Sequence, residues 1–165
     1  IEIPRAKLKD LQVETSNGKI STENLSLDNL DLETSNSKMI INDVDAHSVD
    51  AETSNGKLEL AQMKFEDGSF ETSNSKMSLH NLEFREGEFQ TSNGKIDLMD
   101  LKPTESLSLK TSNSKINGTI IGSKEDFATD AKTSNASNNL DNRDSGSKEL
   151  EVRTSNGDIE IAFVR

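Results

Sequence analysis

The tripeptide Thr-Ser-Asn occurs eight times in this 165-residue chain, beginning at Thr15, Thr34, Thr53, Thr72, Thr91, Thr111, Thr133 and Thr154. Successive copies lie 19, 19, 19, 19, 20, 22 and 21 residues apart. Lys follows two residues after Asn in the first six copies; Ser137 and Asp158 stand there in the seventh and eighth. Self-similarity at so short a period constrains the fold before any other feature does. One unit is too small to enclose a core, so the units must stack and share one.

Counting each Thr as position 1, apolar residues recur at positions 6, 8, 11, 13, 16 and 18. The first unit supplies Ile20, Thr22, Leu25, Leu27, Leu30 and Leu32, and the second Met39, Ile41, Val44, Ala46, Val49 and Ala51. Spacings of two within each pair are those of a strand with one buried face. Spacings of three between pairs add one outward residue at each corner. No stretch keeps the 3.6-residue period of a helix. The pattern predicts an all-β, single-stranded parallel β-solenoid (β-helix) of about eight rungs of 19–22 residues, right-handed coiling favoured, with the whole of 1–165 as one repeat domain, read as excised from a longer protein. At the roughly 4.8 Å strand spacing, eight rungs make a rod about 38 Å long. Such a rod needs only a narrow interior, which suits a chain with 30% apolar and 30% charged residues.

A hairpin array competes with this reading, because Asn-Gly between alternating segments is a strong turn signal. Position 4, however, alternates Gly18, Ser37, Gly56, Ser75, Gly94, Ser114, and ends Ala136, Gly157. Ser and Ala are poor at the positive φ that such turns need, and two further apolar pairs per unit have no place in a hairpin. The parallel coil is favoured; the Gly/Ser alternation implies a 38-residue superperiod.

The same parity points Thr at position 1 and Asn at position 3 inward. The column Asn17, Asn36, Asn55, Asn74, Asn93, Asn113, Asn135 and Asn156 is then a structural ladder bonded along the axis. Outside lie a Ser row, continuing to Ser134 and Ser155, and a Lys row. Their first six members, Ser16 with Lys19, Ser35 with Lys38, Ser54 with Lys57, Ser73 with Lys76, Ser92 with Lys95 and Ser112 with Lys115, form the candidate surface-binding rows. A Glu column, Glu14, Glu33, Glu52 and Glu71, precedes Thr. The Lys row pairs with acidic neighbours or forms a linear array for an anionic partner.

Regularity fails late in the chain. Pro103 takes position 13 of its unit, with one residue inserted nearby, and the segment from Ser137 to Glu149 is almost wholly polar. That segment is predicted to protrude as a mobile corner loop. The last strand ends in mid-rung at Ala162-Phe163-Val164-Arg165, so a neighbouring domain covers it or it folds back as a cap. Pro4 is expected to help end pairing at the other side.

Catalytic chemistry has little to work with. There is no Cys, and His47 and His80 fall at different outward positions without evident partners. Neither a nucleophile elbow nor a phosphate-cradling loop occurs. Asp141 and Asp144 lack a full calcium-ligand pattern. No catalytic, cofactor or metal residue is assigned, and the chain is not read as an enzyme. A carbohydrate-active β-helix would need long loops and a cleft with clustered carboxylates. Rows of Thr suited to ice would have to face outward, and sugar stacking would need Trp or Tyr, which are absent. The net charge of −11 argues against nucleic acid, and no apolar run is long enough to span a membrane.

The unit Glu-Thr-Ser-Asn-Gly-Lys-Ile-x-Leu, with its last version Arg153-Thr154-Ser155-Asn156-Gly157-Asp158-Ile159-Glu160-Ile161, resembles a bacterial domain of unknown function that carries an adhesin label. That domain forms the β-rich C-terminal part of LiaX-like and YvlB-like envelope-stress proteins of Gram-positive bacteria. The resemblance covers essentially the whole chain. It implies a β-solenoid at the cell envelope or surface, linked to envelope stress and, for LiaX-like members, to sensing antimicrobial peptides. It carries over no catalytic residue. The expected partner is a cationic peptide, an envelope component or another envelope protein, with end-to-end self-association open; an adhesin or rigid spacer is the alternative.

Overall fold

A computed structural model of the chain describes residues 8–165; Pro4 lies outside them. Ten strands follow in order: β1 (Asp10–Thr15), β2 (Ile20–Thr34), β3 (Met39–Thr53), β4 (Leu58–Thr72), β5 (Met77–Thr91), β6 (Ile96–Thr111), β7 (Ile116–Ile121), β8 (Phe127–Lys132), β9 (Lys148–Arg153) and β10 (Ile159–Val164), with a 3-10 turn at Lys124–Asp126. All named strands pair in parallel, and from β1 to β6 each lies on its predecessor, shifted by one repeat. Ile20 thus pairs with Met39, Met39 with Leu58, Leu58 with Met77, and Met77 with Ile96. The fold is the β-solenoid expected from the repeat. Its units stack in register because a slip of one residue would turn every inward side chain to solvent.

Two bends in each unit carry the strand around the rod. The first falls at position 10, where Asn24, Asp43, Gln62, Asn81 and Asp100 all have φ between 51° and 57°. This is the left-handed region, which Asn and Asp tolerate best among residues with a side chain. The residue at the bend is skipped in the pairing, as the extra outward residue of the periodicity requires. Pro103 is buried in β6 opposite Phe84, and the register slips between Phe84 and Glu86 to absorb the inserted residue.

Positions 13, 16 and 18 of the interior change together from unit to unit. The triplets are Leu27-Leu30-Leu32, Ala46-Val49-Ala51, Phe65-Gly68-Phe70 and Phe84-Gly87-Phe89. Phe65 stacks on Phe84 at 5.1 Å and Phe70 on Phe89 at 5.0 Å, with planes 4° and 5° apart. The rings occupy the space that a side chain at position 16 would need: a Cβ on Gly68 would lie 2.4 Å from Phe65, and one on Gly87 2.6 Å from Phe84.

Order in space departs from order in sequence at the end of the chain. β7 lies on the first part of β6, and β9 on its last part. β10 then lies on β7, and β8 on β9. The eighth unit is therefore threaded between the sixth and the seventh, which corrects the expectation that every copy stacks on its predecessor. The corner backbone agrees: the amides of Ser155 and Asn156 donate to the Ser112 carbonyl, and those of Ser134 and Asn135 to the Ser155 carbonyl.

Position 4 explains this order. A Cβ on Gly56 would lie 1.8 Å from the carbonyl oxygen of Ser37, one on Gly94 1.7 Å from that of Ser75, and one on Gly157 1.8 Å from that of Ser114. Only glycine can rest on a Ser corner. The Ser corners in turn rest on Gly corners and donate their hydroxyls to the preceding Asn carbonyl: Ser37 to Asn17 (2.5 Å), Ser75 to Asn55 (2.6 Å) and Ser114 to Asn93 (2.7 Å). Above Ser114 the next level demands glycine. The seventh unit offers Ala136, the eighth Gly157, and the eighth takes the place. None of these corner glycines has positive φ, so close approach, not turn type, selects them.

The polar segment of the seventh unit does not protrude. It lies across the end of the rod and satisfies the strand edges there. Arg143 exchanges backbone hydrogen bonds with Thr129 (2.8 and 2.9 Å), the Asn142 side chain accepts from the Ala131 amide (2.7 Å), and the Asn139 side chain bonds Ile161 in both directions (2.9 and 3.0 Å). The last strand does not fold back as a cap: β10 lies parallel on β7 within the stack, and the seventh corner with the polar segment after it covers the end.

Candidate functional site

The Thr and Asn of each repeat part company at the corner. Thr34, Thr53, Thr72 and Thr91 are buried. Thr34, Thr72 and Thr111 donate their hydroxyls to the position-4 carbonyl of the preceding unit (3.3, 3.0 and 3.1 Å), which satisfies a polar group inside the rod. The Asn side chains are exposed, contrary to the inward direction that strand parity implies, because the corner interrupts the alternation. They still form one amide ladder, each Nδ2 donating to the next Oδ1 at 2.8–2.9 Å: Asn36 to Asn17, Asn55 to Asn36, Asn74 to Asn55, Asn93 to Asn74, Asn113 to Asn93, Asn156 to Asn113 and Asn135 to Asn156. The ladder follows the threaded order.

Of the candidate Ser row, Ser16, Ser35, Ser54, Ser92 and Ser112 are exposed and Ser73 half-buried. The Lys row beside it is largely paired. Lys38 reaches Glu59 at 2.6 Å, Lys76 and Lys95 both reach Asp97 (2.5 and 2.7 Å), and Lys115 reaches Glu160 at 2.5 Å. Each of Lys38, Lys76 and Lys115 meets position 7 of the level above. Lys19 and Lys57, which have Ile40 and Ser78 at that place, make no ion pair among the described residues. Burial alone would raise the Asp97 carboxyl, but hydrogen bonds from Lys76 and Lys95 outweigh it and hold its pKa below the usual range. His80 is exposed, and His47 lies 3.2 Å from Glu66 on the next rung.

A larger feature lies on the face formed by positions 15, 17 and 19. On β1 to β4 its outward residues are Asp10, Gln12, Glu14; Asn29, Asp31, Glu33; Ser48, Asp50, Glu52; and Asp67, Ser69, Glu71. These twelve positions hold carboxylates and neutral side chains but no Lys or Arg. Glu14, Glu33, Glu52 and Glu71 are paired in register, as are Asp31 and Asp50. Stacking therefore sets like charges about one strand spacing apart, roughly 4.8 Å. None of these six carboxylates makes an ion pair among the described residues. Burial, and then the charge of Asp31, pushes the Asp50 carboxyl above its ordinary value.

The position-19 column changes sign along the rod. After Glu71 it continues through Gln90, Lys110, Arg153 and Lys132. This basic end is matched internally: Lys110 contacts Glu88 (3.0 Å) and Glu151 (3.1 Å), while Arg153 contacts Glu151 (3.2 Å) and Asp130. Electrostatic demand therefore remains at the acidic end.

The two Phe-Gly-Phe units shape that face. Gly68 and Gly87 let the backbone sink toward the rings beneath, and an open groove of about 370 Å³ runs over them. Ser48, Asp50, Asp67, Ser69, Glu86 and Glu88 are among its lining residues. Arg85, on the adjoining face, already binds Asp67 and Glu86 and reaches Glu105 at 3.0 Å. The Glu column was legible in the sequence. The groove was not, because it arises from packing between side chains of one triplet and has no motif of its own.

Among the described residues, no group of three or more His, Asp or Glu is placed to hold a metal ion, and no helix is long and apolar enough to cross a membrane. No curated protein and no solved structure matches the chain. A family model does match, over residues 1–162, which takes in all eight Thr-Ser-Asn corners, the threaded unit among them. The chain belongs to the Toastrack DUF4097 family, a family of unknown function.

Proposed function

We propose that this chain is a non-enzymatic binding module of the bacterial cell envelope that receives cationic peptides on its acidic face in a regulatory role. The observation that carries this reading is the set of six carboxylates on β1 to β4 that make no ion pair among the described residues, held in register by the repeat. A rigid stack cannot splay its columns apart, so like charges stay close until a counter-charge arrives. A cationic partner relieves that repulsion, and its encounter is steered by the field of the face. The resemblance of the repeat to the β domain of LiaX-like and YvlB-like proteins supports the envelope setting and a role in sensing antimicrobial peptides.

Titration calorimetry with a cationic amphipathic peptide tests the proposal. Binding should weaken about tenfold or more between low and high salt, as screening requires. It should be lost in the combined variant E14Q/E33Q/E52Q/E71Q and persist in K38Q on another face. Absent binding, salt-insensitive binding, or binding indifferent to the four substitutions would refute it. A rigid spacer or adhesin is the second reading, favoured by the unbroken Asn ladder and the capped end. Cell-attachment force that survives the four Gln substitutions would support that reading instead.

A further inference from the structure

On its way from β7 to β8 the chain skips a level. β8 pairs with β9 and with neither β6 nor β7. The skipped level is bounded on one side by the last part of β6, the sixth corner and β7, and on the other by β8, the seventh corner and Asn138. These walls stand two strand spacings apart, roughly 9.6 Å, and residues 148–165 fill the slot between them. Gly122, in the crossing that skips the level, donates its amide to the Val164 carbonyl at 2.8 Å. The slot selects its occupant. Its corner needs glycine against the Ser114 carbonyl, which Gly157 supplies and Ala136 does not. Its ladder needs an Asn that donates to Asn113 and accepts from Asn135, both at 2.8 Å, as Asn156 does. Its interior takes Leu150 and Val152 before the corner and Ile159 and Ile161 after it, all buried. The other glycine corners are held in their own levels, where the carbonyls of Gly18, Gly56 and Gly94 each accept the Thr hydroxyl of the next unit.

The strand and ladder contacts that hold the eighth unit are all made to other units, and its ladder partners lie 43 and 21 residues back in the chain. A segment held in this way is recognised equally well when it comes from a second copy. We propose that residues 148–165 exchange between two copies of this chain, each eighth unit entering the slot of the other, so that two rods join at their capped ends. The exchange is reciprocal and closes on a pair. Strand insertion of this kind draws affinity from main-chain hydrogen bonds and specificity from alternating side-chain sites. The route out runs through the seventh level. β8 has a strand partner on one side only, and its other edge is covered by Arg143 and Asn142; when it lifts, the eighth unit is released. Residues 137–147 form none of the ten strands, and at roughly 3.3 Å each when extended they reach across to a partner docked cap to cap. A covered end stops a strand from adding to the outside but leaves the inner place exchangeable. Contacts in the pair equal those in the single rod, so concentration sets how much of the pair forms and opening sets the rate.

The test warms a concentrated solution of the full chain to the foot of its melting transition, cools it, and reads the product by size exclusion and native mass spectrometry. A stable dimer should form. Chains of natural and heavy isotope should give mixed dimers when warmed together and none when mixed cold. A synthetic peptide of residues 148–165, present during warming, should be retained by the full chain and should suppress the dimer, because it takes the same slot. The same peptide with Gly157→Ala should be retained about tenfold less, since its corner meets the Ser114 carbonyl. Absence of a dimer overturns the proposal, as does a dimer that the peptide leaves intact or that the Gly157→Ala peptide suppresses equally well. The acidic-face function stands in each of these cases.

Discussion

A methyl group added at Gly157 would fall 1.8 Å from the Ser114 carbonyl oxygen, whereas one added at Gly18 would meet only the side chain of Thr15, at 2.8 Å. The first neighbour is backbone held in the ladder; the second is a side chain that can turn. Gly157→Ala should therefore cost about 2 kcal/mol, within the range for overpacking, and Gly18→Ala distinctly less. Urea denaturation of the two variants checks the difference. Titration gives a second contrast at this scale. Asp97, held low by Lys76 and Lys95, contributes stability above its unfolded pKa of about 3.8 that is lost as pH falls through its lower folded value. Asp50, held high by burial and Asp31, does the opposite: its penalty appears as pH rises through the unfolded value and is complete above the folded one. Asp97→Asn should lower Tm at pH 7, and Asp50→Asn should raise it. Both differences should vanish in acid below the pKa of each group in both states, and melting curves across pH 2–7 would show whether they do.

Among the elements, β2 to β6 were the most legible from sequence, because inward residues such as Ile20, Leu30 and Leu32 keep their positions from unit to unit. The bend at position 10 had a signal too: Asn24, Asp43, Asn81 and Asp100 share the place, and Gln62 alone obscures it. The Asn column was assigned the right bonds and the wrong direction, since parity counted along a strand does not survive a corner. Threading of β9 and β10 left one trace, the missing glycine at Ala136, whose meaning depends on a contact between levels that no single unit displays. The threaded element carries more than its length. Truncation after Ser147 would remove β9 and β10 from inside the stack and strand β8 and the seventh corner without partners. The urea m-value should fall by more than the share of residues deleted, and the amides of Ser134 and Asn135 should lose protection from hydrogen exchange.

For the molecule as a whole, stacking converts a weak pattern into a field. The net charge of −11 is not spread evenly: one face gathers carboxylates that make no ion pair among the described residues, while the Lys row and the basic end of the position-19 column are largely matched within the rod. Added salt should raise the melting temperature of the wild-type chain, and the gain should shrink when Glu14, Glu33, Glu52 and Glu71 are replaced by Gln, because screening then has less repulsion to remove. The capped end bears on association. The edges of β8 and β10 are hydrogen-bonded to Asn139, Asn142 and Arg143, which blunts one route to strand addition.

The alternation of glycine and serine at the corners also governs how such a protein can change length over generations. Excising one unit that bears glycine, such as the third, would bring Ser75 directly onto Ser37 and press a side chain against a carbonyl. Copying one serine unit does the same. Gene duplication can lengthen the rod smoothly by one glycine unit, which sets glycine on glycine, or by a Gly/Ser pair of units, inserted ahead of the sixth corner so that the interlocked end keeps its seat. Homologous rods built on this corner should therefore never set one serine corner directly on another.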